Sequence, residues 1–186
     1  MNLTQDEKKY LLTLSRKIIS LKSERKKYKK EGYFSSSLKA QTGLFVTLHK
    51  FDQLRGCIGY VEGIKPLQDA VEEMSIAAAF EDPRFPPVES DELENIEIEI
   101  SVLSPLETIL DTNRIEIGRH GLVIEQGLMR GLLLPQVATD YDWNVQTFLE
   151  QTCHKAGLKS DAWKDESTKI QIFSAEIFCD SDFYER

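Results

Sequence analysis

Near the start of the chain, Leu11, Leu14, Ile18 and Leu21 recur every three or four residues, which is the stripe of an amphipathic helix. Thr4 and Glu7 form a capping box ahead of it. The spacing predicts a first helix over about residues 4–29, with Gly32 just beyond. The stretch "YFSSSLKAQTG" reads as a loop. "GLFVTLH", Gly43 to His49, is a strand by its β-branched and aromatic content. The turn "KFDQ" and a second strand, "LRGCIGY", follow, so the three segments predict a hairpin.

Pro66 suits the first turn of a helix. The buried face of that helix is Leu67, Ala70, Val71, Met74, Ala77 and Ala78, with alanines that permit close approach. It must stop before "EDPRFPP", where prolines forbid regular structure. "IEIEISV", Ile96 to Val102, alternates as a half-exposed strand does. Ile115–Ile117 and Leu122–Ile124 flank the turn "GRHG" and predict a second hairpin. "RGLLLP" is a short strand stopped by Pro135. Val145, Phe148, Leu149, Thr152, Cys153 and Ala156 make a further helical stripe closed by Gly157. Lys169 to Phe178 is a strand whose apolar phase shifts midway, which predicts a bulge. About three helices and six or seven strands, with the strands in hairpins, predict an α+β fold with a mostly antiparallel sheet.

Length and charge narrow the function classes. The chain has 186 residues, 41% of them hydrophobic and 29% charged, which suits one domain of ordinary size. No apolar run is long enough to span a bilayer and no signal-peptide core is visible, so a cytoplasmic location is expected. Three scattered cysteines, Cys57, Cys153 and Cys179, make no disulfide framework. Without CxxC or HExxH spacing, no metal site and no cofactor is expected. A formal charge of −8 disfavours nucleic acid. The lysine-rich "KSERKKYKKEG" opposes that balance. It reads first as a solvated helix end, and nucleic-acid binding there is the weakest of the functional readings.

The candidate chemistry lies in "LRGCIGY". Pairing the apolar faces of the first hairpin puts Phe45, Thr47, His49, Arg55 and Cys57 on one face, opposite Leu54 and Ile58. A cysteine attacks as its thiolate, and an adjacent Arg55 lowers a thiol pKa. Gly56 and Gly59 leave bare backbone beside Cys57, which allows close approach of a ligand or of another element. The competing reading is a small buried cysteine that only packs. In "EDPRFPP", Asp82 and Arg84 either form a local ion pair that holds the loop or present a guanidinium to an anionic ligand, with Phe85 seating the loop.

Taken together, "GLFVTL", "LRGCIGY", "EDPRFPPV", "IEIEISVLSPLE", "IGRHGLVI", "GLLLPQVA" and "CHKAGLKSDAW" resemble the AMMECR-one domain family, whose prokaryotic members are called AmmeMemoRadiSam system protein A. The resemblance runs in order from about Gly43 to the end of the chain. It implies two interleaved subdomains within residues 1–186, with the "LRGCIG" segment near a groove between them. It also implies association with a Memo-like protein and a radical S-adenosylmethionine protein, and it points to His120 as the base for Cys57. It supplies no established reaction. The leading expectation is a groove lined by Arg55, Gly56, Cys57, Gly59, Asp82, Arg84 and His120 that binds a small anionic molecule or a modified protein group, with thiol chemistry at Cys57. The alternative is a non-catalytic adaptor in which Cys57 packs.

Overall fold

The first helix, α1, spans Gln5–Ser23. The structure is a computed structural model that describes residues 2–30 and 32–184. The capping box forms as expected: the Glu7 N–H donates to Thr4 Oγ1 at 3.2 Å and the Thr4 N–H donates to Glu7 Oε2 at 2.8 Å. The end of α1 differs from the expectation of about residue 29. The N–H of Lys26 donates to the Leu21 carbonyl and that of Arg25 to the Lys22 carbonyl, and Arg25 takes φ +57°. This is a Schellman ending with arginine in the left-handed position that glycine commonly holds. Between Leu21 and residue 29 the sequence offers no aliphatic residue, only Tyr28, and packing of an apolar face is what sustains most helices.

The chain divides into two compact units, residues 1–102 with 176–186, and residues 103–175. In the first, β1 (Leu44–Lys50), β2 (Gln53–Tyr60) and β3 (Ile96–Leu103) lie in the order β2–β1–β3, each pair antiparallel. Helix α2 (Leu67–Phe80) packs on β1 and β2 and against α1. Leu44, Val46, Leu48, Val71, Ala78, Ile98 and Ile100 are buried in this core. Arg16 ties α1 to it, donating to the Leu93 and Ile96 carbonyls and to Asp180. The β1–β2 turn places Phe51 and Asp52 at φ +51° and +60°, the geometry of a type I′ hairpin turn.

In the second unit, β4 (Glu107–Ile109) and β5 (His120–Gln126) flank β7 (Lys169–Cys179), and β6 (Met129–Leu133) pairs with β5. Helices α3 (Pro135–Asp140) and α4 (Val145–Lys155) complete it. Phe148, Leu149, Cys153, Ile170 and Ile172 are in its core. The last residues of β7 belong to the first unit, where Phe178 is buried.

Three expectations are corrected here. Ile115–Ile117 is not a strand: the hairpin is β5–β6, and "GRHG" closes a turn in which the Glu116 carbonyl accepts from the N–H groups of Arg119 and His120. Pro135 does not merely stop a strand; it occupies the first turn of α3, where its missing N–H costs nothing. The phase shift in β7 involves no bulge up to Ser174, because the ladder with β5 runs unbroken from Lys169 to Ser174. Phe173 is buried on its own face because its ring covers Gly121, its cross-strand partner. Among the described residues, four α-helices on antiparallel ladders make an α+β fold, and no helix is long and apolar enough to cross a membrane.

Candidate functional site

Cys57 opposes Thr47 across the β1–β2 ladder, and Thr47 in turn opposes Glu99 on β3. The Thr47 hydroxyl donates to Cys57 Sγ at 3.3 Å. One row across this polar face is therefore Cys57, Thr47, Glu99, and the next is Gly59, Phe45, Ser101. Phe45 lays its ring against Gly59, where a Cβ would lie 2.5 Å from the ring and 2.2 Å from the Leu44 carbonyl oxygen. On the other face Gly56 meets α2: a Cβ there would lie 2.1 Å from the Ala78 carbonyl oxygen. Each glycine of "GCIG" is thus required by a close backbone neighbour, joined at Gly59 by an aromatic ring.

The ladder shifts register between Leu48 and His49, so that His49 opposes Leu54 and Arg55 is the extra residue on β2. This bulge corrects the expected face. Leu54 does not share the buried side with Ile58 and is 41% exposed, and His49 is not aligned with Arg55. A bulge changes which face each later residue takes, and the apolar period alone did not reveal it.

Arg55 turns to Glu92. Its Nη2 donates to Glu92 Oε1 at 2.7 Å and its Nε to Oε2 at 3.3 Å, while Nη2 also reaches the Pro87 carbonyl. Lys50 donates to the same carboxylate at 2.8 Å. Burial pushes the Glu92 carboxyl up, but Arg55, Lys50 and the Glu89 N–H outweigh it and hold the group at about 2. The Arg55 charge is therefore committed to a carboxylate, with the side chain only 12% exposed. Glu92 went unnoticed in the sequence because it lies in a run of acidic residues, "ESDELEN", where nothing marks one glutamate as buried.

Asp82 and Arg84 grip the peptide of Cys57. The Cys57 N–H donates to Asp82 Oδ2 at 2.9 Å, and Arg84 Nη2 donates to the Cys57 carbonyl at 3.1 Å. The two side chains also join each other, Arg84 Nη2 to Asp82 Oδ2 at 2.7 Å and Nε to Oδ1 at 2.9 Å. The Asp82 side chain is 2% exposed and that of Arg84 50%. Arg84 first, with the Cys57 and Arg84 N–H groups, holds Asp82 at about 2 despite its burial. Val88, buried and bonded through its N–H to the Ala79 carbonyl, seats the loop. Phe85 stays half-buried with the Arg84 guanidinium over its ring, so it is not the seat the sequence suggested.

The thiol itself is pushed up from its ordinary range, chiefly by burial; Thr47 and Arg84 pull it down, and Asp82 and Glu99 push it further up. The expected lowering by Arg55 is not there, since that guanidinium faces Glu92. His120 stands at the start of β5 in the second unit, where its Nδ1 accepts the Glu116 N–H at 3.1 Å. Among the described residues, no group of three or more His, Cys, Asp or Glu side chains is placed to hold a metal ion.

The scaffold and the glycine-flanked cysteine strand, closed at its edge by an Asp-x-Arg loop, define an α+β protein of one family type. A family model for AMMECR1 matches residues 12–178, and the chain belongs to that family. It is 44% identical to a protein of Methanocaldococcus jannaschii over 184 residues, covering 95% of this chain and 91% of the relative. It is 51% identical to a Methanothermobacter thermautotrophicus protein over 142 residues, 73% of this chain and 74% of that one. The crystal structure of the uncharacterized protein PH0010 from Pyrococcus horikoshii superposes with a TM-score of 0.86 at 40% identity, covering 91% of this chain and 89% of that one.

Proposed function

We propose that this protein is a non-catalytic binding module, an adaptor in which Cys57 is a packing residue of the strand and not a nucleophile. The observation that carries this reading is the commitment of both guanidinium groups near Cys57: Arg55 to Glu92 and Arg84 to Asp82. Each guanidinium already has a carboxylate partner that offsets its charge, and burial pushes the Cys57 thiol up from its ordinary range, whereas reactive cysteines sit in electropositive surroundings that favour the thiolate. The partners that the family resemblance suggests are a Memo-like protein and a radical S-adenosylmethionine protein, and the adaptor reading assigns docking to the Memo-like protein as the first function to test.

Alkylation of the folded protein by iodoacetamide between pH 6 and 9, followed residue by residue by mass spectrometry, is expected to leave Cys57 slow across the range, with no plateau below pH 8. The Cys57→Ala variant, co-expressed with the Memo-like protein of the same genome, is expected to co-purify as wild type does. Fast alkylation of Cys57 at pH 6–7 would return the site to thiol chemistry. Failure of the wild type to associate with the Memo-like protein would remove the adaptor reading.

A further inference from the structure

β2 is the terminal strand of its sheet. Its free side would normally expose a row of main-chain N–H and C=O groups able to pair with any other strand. Lys50 and Gln53 flank the two-residue turn, and from there the ladder alternates between pairs that exchange main-chain hydrogen bonds and pairs that do not. With Arg55 as the extra residue, Leu48–Gly56 is a bonded pair, while Thr47–Cys57 and Phe45–Gly59 are not. The peptide groups of Cys57 and Gly59 therefore point away from β1, to the open side.

At Cys57 that side is filled, although no strand lies there. Asp82 accepts the N–H and Arg84 donates to the C=O of the same residue. One residue of an antiparallel neighbour makes this same pair of bonds. The Asp82–Arg84 ion pair fixes the spacing of acceptor and donor, and Pro83 between them stiffens the loop. Two residues on, the Gly59 N–H has no such partner among the described residues.

We infer that Asp82 and Arg84 are a side-chain surrogate for a missing β-strand, and that the 82–87 loop is a strap that closes the edge of β2 to pairing with a second copy of this chain. A second copy fits the uncovered edge because antiparallel pairing of β2 with itself is self-complementary, whatever other partner the protein has. The segment Leu54–Tyr60 carries one charge and no proline, so neither of those two common guards keeps its edge from pairing. This inference does not depend on the adaptor reading: it concerns the main chain at the edge and survives whether or not a Memo-like protein binds.

Amide hydrogen exchange of the wild-type protein, followed by NMR, tests the surrogate. The Cys57 amide is expected to be protected roughly tenfold or more relative to that of Gly59, after correction for intrinsic rates. Equal protection of the two overturns the surrogate. Sedimentation velocity over a concentration series tests the strap. Arg84→Ala is expected to rise by one step in oligomeric state relative to wild type, with the Gly59 amide becoming protected as it does so. If Arg84→Ala does not fold, Arg84→Gln, which keeps bulk and loses the charge, replaces it. A folded variant with unchanged mass and an open Gly59 amide overturns the strap. Gly59 protection without a change in mass overturns the second copy as the occupant.

Discussion

Replacing Gly56 with alanine is expected to destabilise the protein by about 3 kcal/mol or more, the upper range for overpacking a closed core. The added Cβ would lie 2.1 Å from the Ala78 carbonyl oxygen and 3.1 Å from its carbonyl carbon. Both neighbours are backbone, so no side-chain rotation relieves the contact; the strand or the helix must shift. The strand is held by β1 on one side and by the Asp82–Arg84 grip on the other. The helix is held by Val71, Met74 and Ala78 in the core. Gly127→Ala serves as the comparison. That glycine has φ +61° and nothing within 4 Å of a Cβ, so only left-handed strain of roughly 1 kcal/mol is expected. Urea denaturation of both variants decides the matter. Equal, small losses at the two positions would show that α2 can retreat from β2 cheaply, and the reading of Gly56 as a helix-packing position would fall.

The second unit uses the same construction. Its hairpin strand β6 also has Arg then Gly, Arg130 and Gly131. Gly131 lies under the end of α4, where a Cβ would meet the Ala156 N at 2.3 Å. Gly131 opposes Ile124 as Gly56 opposes Leu48. The position matching Cys57 is Leu132, opposite Val123, where the first unit has Cys57 opposite Thr47. The same strand position is thus filled by an ordinary apolar pair in one unit and by a thiol–hydroxyl pair in the other. A bare glycine and a strand seated on a helix need no cysteine, so the glycines follow from packing, and the polar pair is what the first unit adds.

Local patterns made much of this legible in the sequence. The capping box, the stripe of α1, the first hairpin and the alanine face of α2 all follow from spacing between neighbours in the chain. Local pattern failed where a distant residue decides the outcome. The bulge at Arg55 was invisible because it depends on pairing with β1, and it moved Leu54 and His49 away from their expected faces. Glu92 was invisible because its burial comes from Arg55 and Lys50, far back in the chain. Ile115 and Ile117 looked like a strand because alternation cannot tell a ladder from a loop whose Ile115 side chain plugs a core. The Asp82–Arg84 pair was seen as a local ion pair, but its grip on the Cys57 peptide, 25 residues earlier, was not.

That grip predicts an acid limb in the stability curve. Asp82 is held at about 2, against an ordinary value of 3.8. A carboxyl with a lowered folded pKa stabilises the fold fully above its unfolded value and loses that contribution as pH falls towards the folded one. The window for Asp82 is therefore from about pH 4 down to about 2, and its size is on the order of 2 kcal/mol. Asp82→Ala is expected to cost about 3 kcal/mol at pH 7, because it also leaves the Cys57 N–H and the Arg84 guanidinium without their partner. The half-exposed guanidinium regains water, which keeps the loss from rising further. The gap between wild type and variant is expected to narrow as pH falls from 4 towards 2. Glu7, lowered to about 2 chiefly by the Ser35 hydroxyl, and Glu92 remain in the variant, so it keeps part of the acid limb. Urea denaturation at pH 7, 4 and 2.5 measures the gap directly. A gap that stays constant across those three values would mean that Asp82 contributes shape and no charge to the grip, and Asp82→Asn would then match wild type throughout.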